Sequence, residues 1–125
     1  MNVPISKDED LQTPVPSAWR PTLAAIVEAF CEGDFELSRG IPNVSPVAPE
    51  DAEAIAGNIE EYGDTLASLP DASWETSACQ WTGAHWHVLV DLYTQEEGAS
   101  DLVLDLRVRE HGAGYLFEVF LVYVP

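Results

Sequence analysis

From Trp74 to Pro125 the chain alternates apolar and polar residues with a period of two, and this run limits the possible folds more than any other feature. Segments 74–81, 85–94, 101–110 and 115–124 have strand length. They are separated by Thr82-Gly83, by Gln95-Glu96-Glu97-Gly98-Ala99 and by Gly112-Ala113-Gly114. Connections this short join neighbouring antiparallel strands, so the pattern predicts a four-stranded antiparallel meander.

Alternation also assigns the faces of that sheet. Trp86, Val88, Val90 and Leu92, then Leu102, Leu104, Leu106 and Val108, then Tyr115, Phe117, Val119, Leu121 and Tyr123 form rows that should bury against helices. The opposite face collects His85, His87, Leu89, Asp91 and Tyr93, then Val103, Asp105, Arg107 and Arg109, then Leu116, Glu118, Phe120, Val122 and Val124. Large apolar side chains among charges that can pair across strands read as a covered face or as an exposed sheet with scattered apolar residues. The cover would be a subunit, a partner or the N-terminal arm. Without Val103, Leu116 and Val124, this outer row is the candidate binding surface.

Upstream the period changes to that of a helix. Leu23, Ile26, Val27, Phe30 and Cys31 form one apolar stripe, with Ser17 or Thr22 placed to cap it, Pro21 in its first turn and Gly33 at its end. Residues 38–49 hold three prolines and read as an irregular connection. Pro49 opens a second helix, where Glu50, Asp51 and Glu53 favour the positive end of the helix dipole. Ile55, Ile59, Tyr62, Leu66 and Leu69 continue the stripe, with Gly63 as a kink or break and Leu69-Pro70 as the stop. Residues 1–17 contain three prolines and the acidic run Asp8-Glu9-Asp10, and read as an extended acidic arm before one α+β domain over 18–125.

Charge narrows the partners. The 22 acidic residues outnumber Lys7, Arg20, Arg39, Arg107 and Arg109 to give a net −17. Residues 1–75 carry 15 acids against 3 bases and residues 76–125 carry 7 against 2, so the arm and helices hold most of the field. Such a field repels nucleic acid and anionic membranes and steers a basic protein toward the helical half. The start of the chain lacks the basic and apolar regions of a signal peptide, and no window approaches the roughly 18 apolar residues of a membrane span. The expectation is a soluble, cytoplasmic protein.

Motifs that carry chemistry are sparse. His85 and His87 share a strand face, as a metal pair would require, but Asp91 lies about 13 Å along the strand and cannot complete the site. His111 adjoins a glycine-rich turn without a partner in reach. Asp91, Asp105 and Glu118 share a sheet face with Arg107 and Arg109. That cluster reads as cross-strand ion pairing or as an acid and base pair. Cys31 and Cys79, 48 positions apart, read as free thiols. Trp19, Trp74, Trp81 and Trp86 read as core packing or as an aromatic recognition patch. No nucleophile-elbow, phosphate-loop, zinc-protease, dinucleotide or CxxC motif occurs, so no cofactor and no metal are assigned.

Several stretches carry a family resemblance. They are Ile26-Val27-Glu28-Ala29-Phe30 with Gly33-Asp34, then Asn58-Ile59-Glu60-Glu61-Tyr62-Gly63 through Leu69-Pro70, then Val90-Asp91-Leu92-Tyr93-Thr94. Glu97-Gly98, Ser100-Asp101-Leu102-Val103-Leu104 and Val122-Tyr123-Val124-Pro125 complete the set. Together they resemble a family of small bacterial proteins of unassigned activity over about residues 18–125, and the resemblance implies no catalytic residue. A helix ending in this way before long antiparallel strands is also similar to the nuclear-transport-factor-like cone, whose members bind small molecules or pair through their sheets.

The expected function is non-enzymatic binding of a basic protein, in the manner of an immunity or antitoxin-type inhibitor. The alternatives are a small-molecule-binding or hydrolytic domain with a pocket between helices and sheet, and a homodimeric scaffold joined through the open sheet face.

Overall fold

The computed structural model describes residues 2–125. Two helices lie on one side of an open antiparallel sheet: α1 (Arg20–Cys31) and α2 (Pro49–Tyr62), followed by β1 (Leu66–Ala67), β2 (Ala78–Trp81), β3 (Trp86–Thr94), β4 (Gly98–His111) and β5 (Gly114–Tyr123). The apolar stripes form as their spacing dictates. Leu23, Ile26, Val27 and Phe30 of α1 and Ala52, Ile55 and Ile59 of α2 are buried against Val88, Val90, Leu104, Leu106 and Val108 of the sheet. Each such side chain taken fully out of water contributes about 1.5–3 kcal/mol.

The sheet has five strands rather than the four expected, and two local events explain the difference. Gly63, at φ 92°, ends α2 in the left-handed conformation and its N–H caps the carbonyls of Ile59 and Glu60. The chain therefore leaves the helix at Tyr62, and Leu66–Ala67 becomes a short strand paired with Thr94 and Tyr93. In the segment expected as the first strand, Asp71–Glu75 instead forms a 3-10 turn containing Trp74, and only Ala78–Trp81 pairs with β3. At the first helix, no side chain caps the N-terminus. Ser17 lies in a 3-10 turn (Ser17–Trp19), and its hydroxyl accepts the Val3 N–H at 2.7 Å.

β1 and β2 occupy the same edge of β3 and leave a gap opposite Asp91. Two serines fill it. The Asp91 N–H donates to Ser77 Oγ at 3.0 Å and the Ser73 hydroxyl donates to the Asp91 carbonyl at 2.6 Å, while both serines are buried. A buried backbone group without a partner costs about 1–3 kcal/mol. Ser77→Ala is accordingly expected to destabilise by that amount and to accelerate exchange of the Asp91 amide, as measured by urea unfolding and hydrogen exchange.

The arm is tied to the helix-facing side. Thr13 and Cys79 exchange backbone hydrogen bonds at 2.9 and 2.8 Å, the Trp86 indole N–H donates to the Ser6 carbonyl at 2.9 Å, and Val15 is fully buried. Lys7 stands 2.6 Å from Glu110 and over the Trp81 ring. Trp81, Trp86 and Glu110 share the parity of the core row, whereas Gln80, opposite His87 on the outer row, donates to the Asp8 and Glu9 carbonyls, so the arm wraps around the β2 edge of the sheet. At the opposite edge, Asn43 and Ser45 clamp Phe117 of β5 through two backbone hydrogen bonds. Both lateral edges of the sheet therefore carry backbone partners.

A tryptophan cluster closes this end of the core. Trp19, 2% exposed, meets Trp86, Tyr115 and Phe117 edge-on at 5.3–5.9 Å, and Trp81 lies 4.5 Å from Trp86. Among the described residues the Trp19 indole N–H has no oxygen or nitrogen partner. Edge-to-face packing places the positive rim of one ring against the electron-rich face of another and offsets part of that loss.

Candidate functional site

The outer face of β3, β4 and β5 gathers most of the residues that the alternation placed there. His87 lies opposite Arg107, Leu89 opposite Asp105, Asp91 opposite Val103, and Arg107 opposite Glu118. Tyr93 belongs to the same row and pairs with Ala99 beyond an irregularity in β4. His85, Leu89, Asp91, Tyr93 and Glu118 are partly exposed, whereas Arg107 and Arg109 are exposed.

Val122 is a correction. Between the pairs Asp105–Leu121 and Leu106–Val119 the register shifts by one residue, leaving Phe120 as an extra residue in β5. A one-residue bulge reverses the parity of everything beyond it. Val122 therefore turns inward opposite Leu104 and is fully buried, and Tyr123, expected in the core row, turns outward. Leu121, also expected inward, pairs with Asp105, is half-buried and still touches the core cluster. Phe120 itself is 42% exposed, with the Arg107 guanidinium 4.3 Å from its ring.

The charges on this face are largely satisfied within it. His87 Nε2 stands 2.8 Å from Asp105 Oδ1, and the Tyr123 hydroxyl donates to Asp105 Oδ2 at 3.4 Å, so one carboxylate joins an imidazole and a phenol. Arg109 donates to Glu118 at 2.9 Å. Among the described residues the Asp91 carboxylate makes no ion pair, and the expected cluster of three carboxylates divides into separate pairs. Burial raises the Tyr123 phenol above its usual range, assisted by the negative charge of Asp105. Burial likewise lowers the His85 imidazole, helped by Arg107 and His87 and opposed by Glu118. Nothing in the sequence marks Tyr123 for this network, because the bulge that turns it outward has no residue signature.

A second surface lies beside α2. A groove of about 410 Å³ is lined by Gly33, Asp34, Phe35, Glu36, Ser38, Pro49, Ala52, Glu53 and Ala56. Asp34 accepts the N–H groups of Ser38 and Arg39 and the Ser38 hydroxyl, and the Ser38 backbone bond is the main cause that holds its carboxyl below the ordinary range. Glu36 and Glu53 make no ion pair among the described residues and are exposed at the rim. The exposed side of α2 adds Glu50, Asp51, Glu60 and Glu61, and the helix carries no cation.

Elsewhere the chemistry-bearing residues stay apart. Cys31 and Cys79 are both free thiols. Burial raises both, Cys79 to about 11, and the Cys31 thiol donates to the Leu66 carbonyl. Among the described residues no three His, Cys, Asp or Glu side chains converge as a metal site would require. Among the described residues no helix is long and apolar enough to cross a membrane.

Neither the curated proteins nor the solved structures contain a match to this chain. A family match does exist, and it begins within α1 and runs through α2 and all five strands. Since residues 27–125 fit the family described as Domain of unknown function (DUF7668), the chain belongs to that family.

Proposed function

We propose that this chain is a cytoplasmic, non-enzymatic binding protein that engages a basic protein, in the manner of an immunity or antitoxin-type inhibitor. The supporting observation is the groove beside α2. Phe35, Pro49, Ala52 and Ala56 offer an apolar wall to the methylene stem of an arginine or lysine, and Glu36 and Glu53 stand at the rim to receive its head. The exposed Glu50 and Asp51 of the first turn of α2, with Glu53 just beyond it, set negative charge beside that groove, which accelerates encounter with a cationic surface and disfavours anionic partners.

Recovery of a basic protein on the immobilised chain from its native host is the test. Its affinity should fall about tenfold or more as salt rises through the range where the Debye length shrinks from about 10 Å to 3 Å. The double variant Glu36→Gln, Glu53→Gln should weaken it by a similar factor, since charge-assisted hydrogen bonds contribute about 1.5–3 kcal/mol. Salt-insensitive capture, or no partner, counts against the reading.

A second reading is supported by a groove of about 380 Å³ between α2 and the ends of β4 and β5, lined by Asn58, Glu61, Tyr62, Leu102, Tyr123 and Val124. It would suit a small-molecule site in a cone-like, nuclear-transport-factor-like sheet. Ligand binding that is lost with Tyr62 or Tyr123 and is indifferent to Glu36 and Glu53 separates it from the first.

A further inference from the structure

We infer that the outer face of the sheet, across β3, β4 and β5, is the surface through which two copies of this chain pair about a twofold axis. The inference is independent of the basic-partner reading, because it uses the opposite side of the sheet from α2.

Coverage is the first argument. Both helices pack on the other face and the arm meets the outer row at Gln80 of the β2 edge, yet Val103 is only 7% exposed while standing outside the helix-side core cluster. Its neighbours on the outer face shield it, so that face already holds an apolar layer of its own. Phe120 rises from the bulge at 42% exposure beside this layer, an aromatic ring presented to solvent with a guanidinium against it. Aromatic and arginine side chains in that arrangement are typical of the centres of protein interfaces.

Charge selects the occupant. The outer face carries Asp91, Asp105 and Glu118 against Arg107 and Arg109, a net −1, so the remainder of the chain carries −16 of the total −17. Two copies of so acidic a protein repel each other in almost any approach, and this near-neutral face is where the repulsion is least. Sheets packed face to face lie about 10 Å apart, which keeps the carboxylates of α2 on the far sides of the pair, beyond a Debye length of about 8 Å. A twofold contact must also be self-complementary, and the face offers both signs, with Arg107 and Asp91 in none of the ion pairs among the described residues.

Geometry removes the competing mode. Thr13 is bridged to Cys79 at the β2 edge and Asn43 with Ser45 brackets Phe117 at the β5 edge, so strand addition running through these positions would first have to displace them. The contact is therefore face to face. With β3 spanning nine residues, the patch measures roughly 30 by 15 Å, which is small for a stable interface and consistent with a dissociation constant in the micromolar range.

Sedimentation equilibrium of the full chain over micromolar to millimolar concentration, at low and high salt, tests the pairing. The expected result is a monomer–dimer equilibrium that tightens as salt rises, since screening removes repulsion between the acidic remainders; binding of a basic partner responds in the opposite direction. Phe120→Glu should weaken dimerisation about 30-fold or more, and the milder Phe120→Ala about tenfold. Leu11→Glu, at a 54% exposed position on the arm, should leave it unchanged. A monomer at every concentration and salt, a dimer that weakens with salt, or a dimer indifferent to both Phe120 variants would overturn the inference.

Discussion

Trp86→Ala is expected to destabilise the protein by about 3–5 kcal/mol in urea unfolding, the range seen when a buried aromatic ring is truncated to a methyl group. Trp86 is 1% exposed and its ring meets three others, Trp81 at 4.5 Å, Trp19 at 5.3 Å and Tyr115 at 5.7 Å. The surrounding rings come from β2, the turn before α1 and β5, so a cavity here cannot close by moving one side chain. The same indole holds the arm through the Ser6 carbonyl, and its loss releases that anchor as well. Domains of this size have about 5–15 kcal/mol in all, so the alanine variant should retain little cooperativity. Trp86→Phe keeps most of the ring packing and loses one hydrogen bond and some area, for about 1–2 kcal/mol. A cost below about 1 kcal/mol for the alanine variant would mean that the arm and cluster contribute little to the fold.

Inserting one alanine between Phe120 and Leu121 is the second large effect, expected at about 3 kcal/mol or more, although the neighbouring Phe120 side chain is exposed. With the bulge held at one extra residue, everything beyond the insertion would slip by one position against β4. Val122 would turn out, forfeiting about 1.5–3 kcal/mol of burial, and the Tyr123 hydroxyl would turn in, away from Asp105, at about 1–3 kcal/mol. The hydrogen bond from Asn58 of α2 to the Val122 carbonyl would be lost too, loosening the helix from the strand. Phe120→Ala at full chain length should cost less than about 1 kcal/mol in monomer stability, measured at low concentration. The contrast between insertion and substitution isolates the residue count as the determinant. Equal costs would show that the ring, not the register, holds β5 in place.

The helices were legible because their signals are local and redundant. The stripe from Leu23 to Phe30 and that from Ala52 to Ile59 recur at helical spacing, and Pro21, Gly33 and Pro49 stand where helix ends need them. Gly63 was legible only as an interruption. Whether it kinks a helix or ends it depends on what the next residues can pair with, and Leu66–Ala67 finds Tyr93 and Thr94 through the tertiary fold. Trp74 misled in the same way. Its apolar ring fits an alternating strand pattern, but Ser73 and Ser77 satisfy the Asp91 backbone only if residues 71–75 coil into a turn.

The outer face was legible as far as the bulge. His85, His87, Leu89, Asp91, Tyr93, Asp105, Arg107, Arg109 and Glu118 stand on the side their parity gave them. Phe120 is exposed at the point where parity breaks, and Val122 is the residue displaced. The acidic groove was present in the sequence only as charge. Asp34 and Glu36 are separated from Glu53 by the proline-containing connection, and nothing local indicates that it brings them to one groove.

By itself the sequence determined the acidic α+β character, both helices and the alternating run from Trp86 onward, because these depend on side chains within a few positions of one another. Only the tertiary structure decided the fifth strand, the 3-10 turn at Trp74, the docking of the arm on Trp86 and the inward turn of Val122. Each of these rests on satisfying a backbone group or filling a volume against residues far away in the chain, and a period read along the sequence carries no record of that partner.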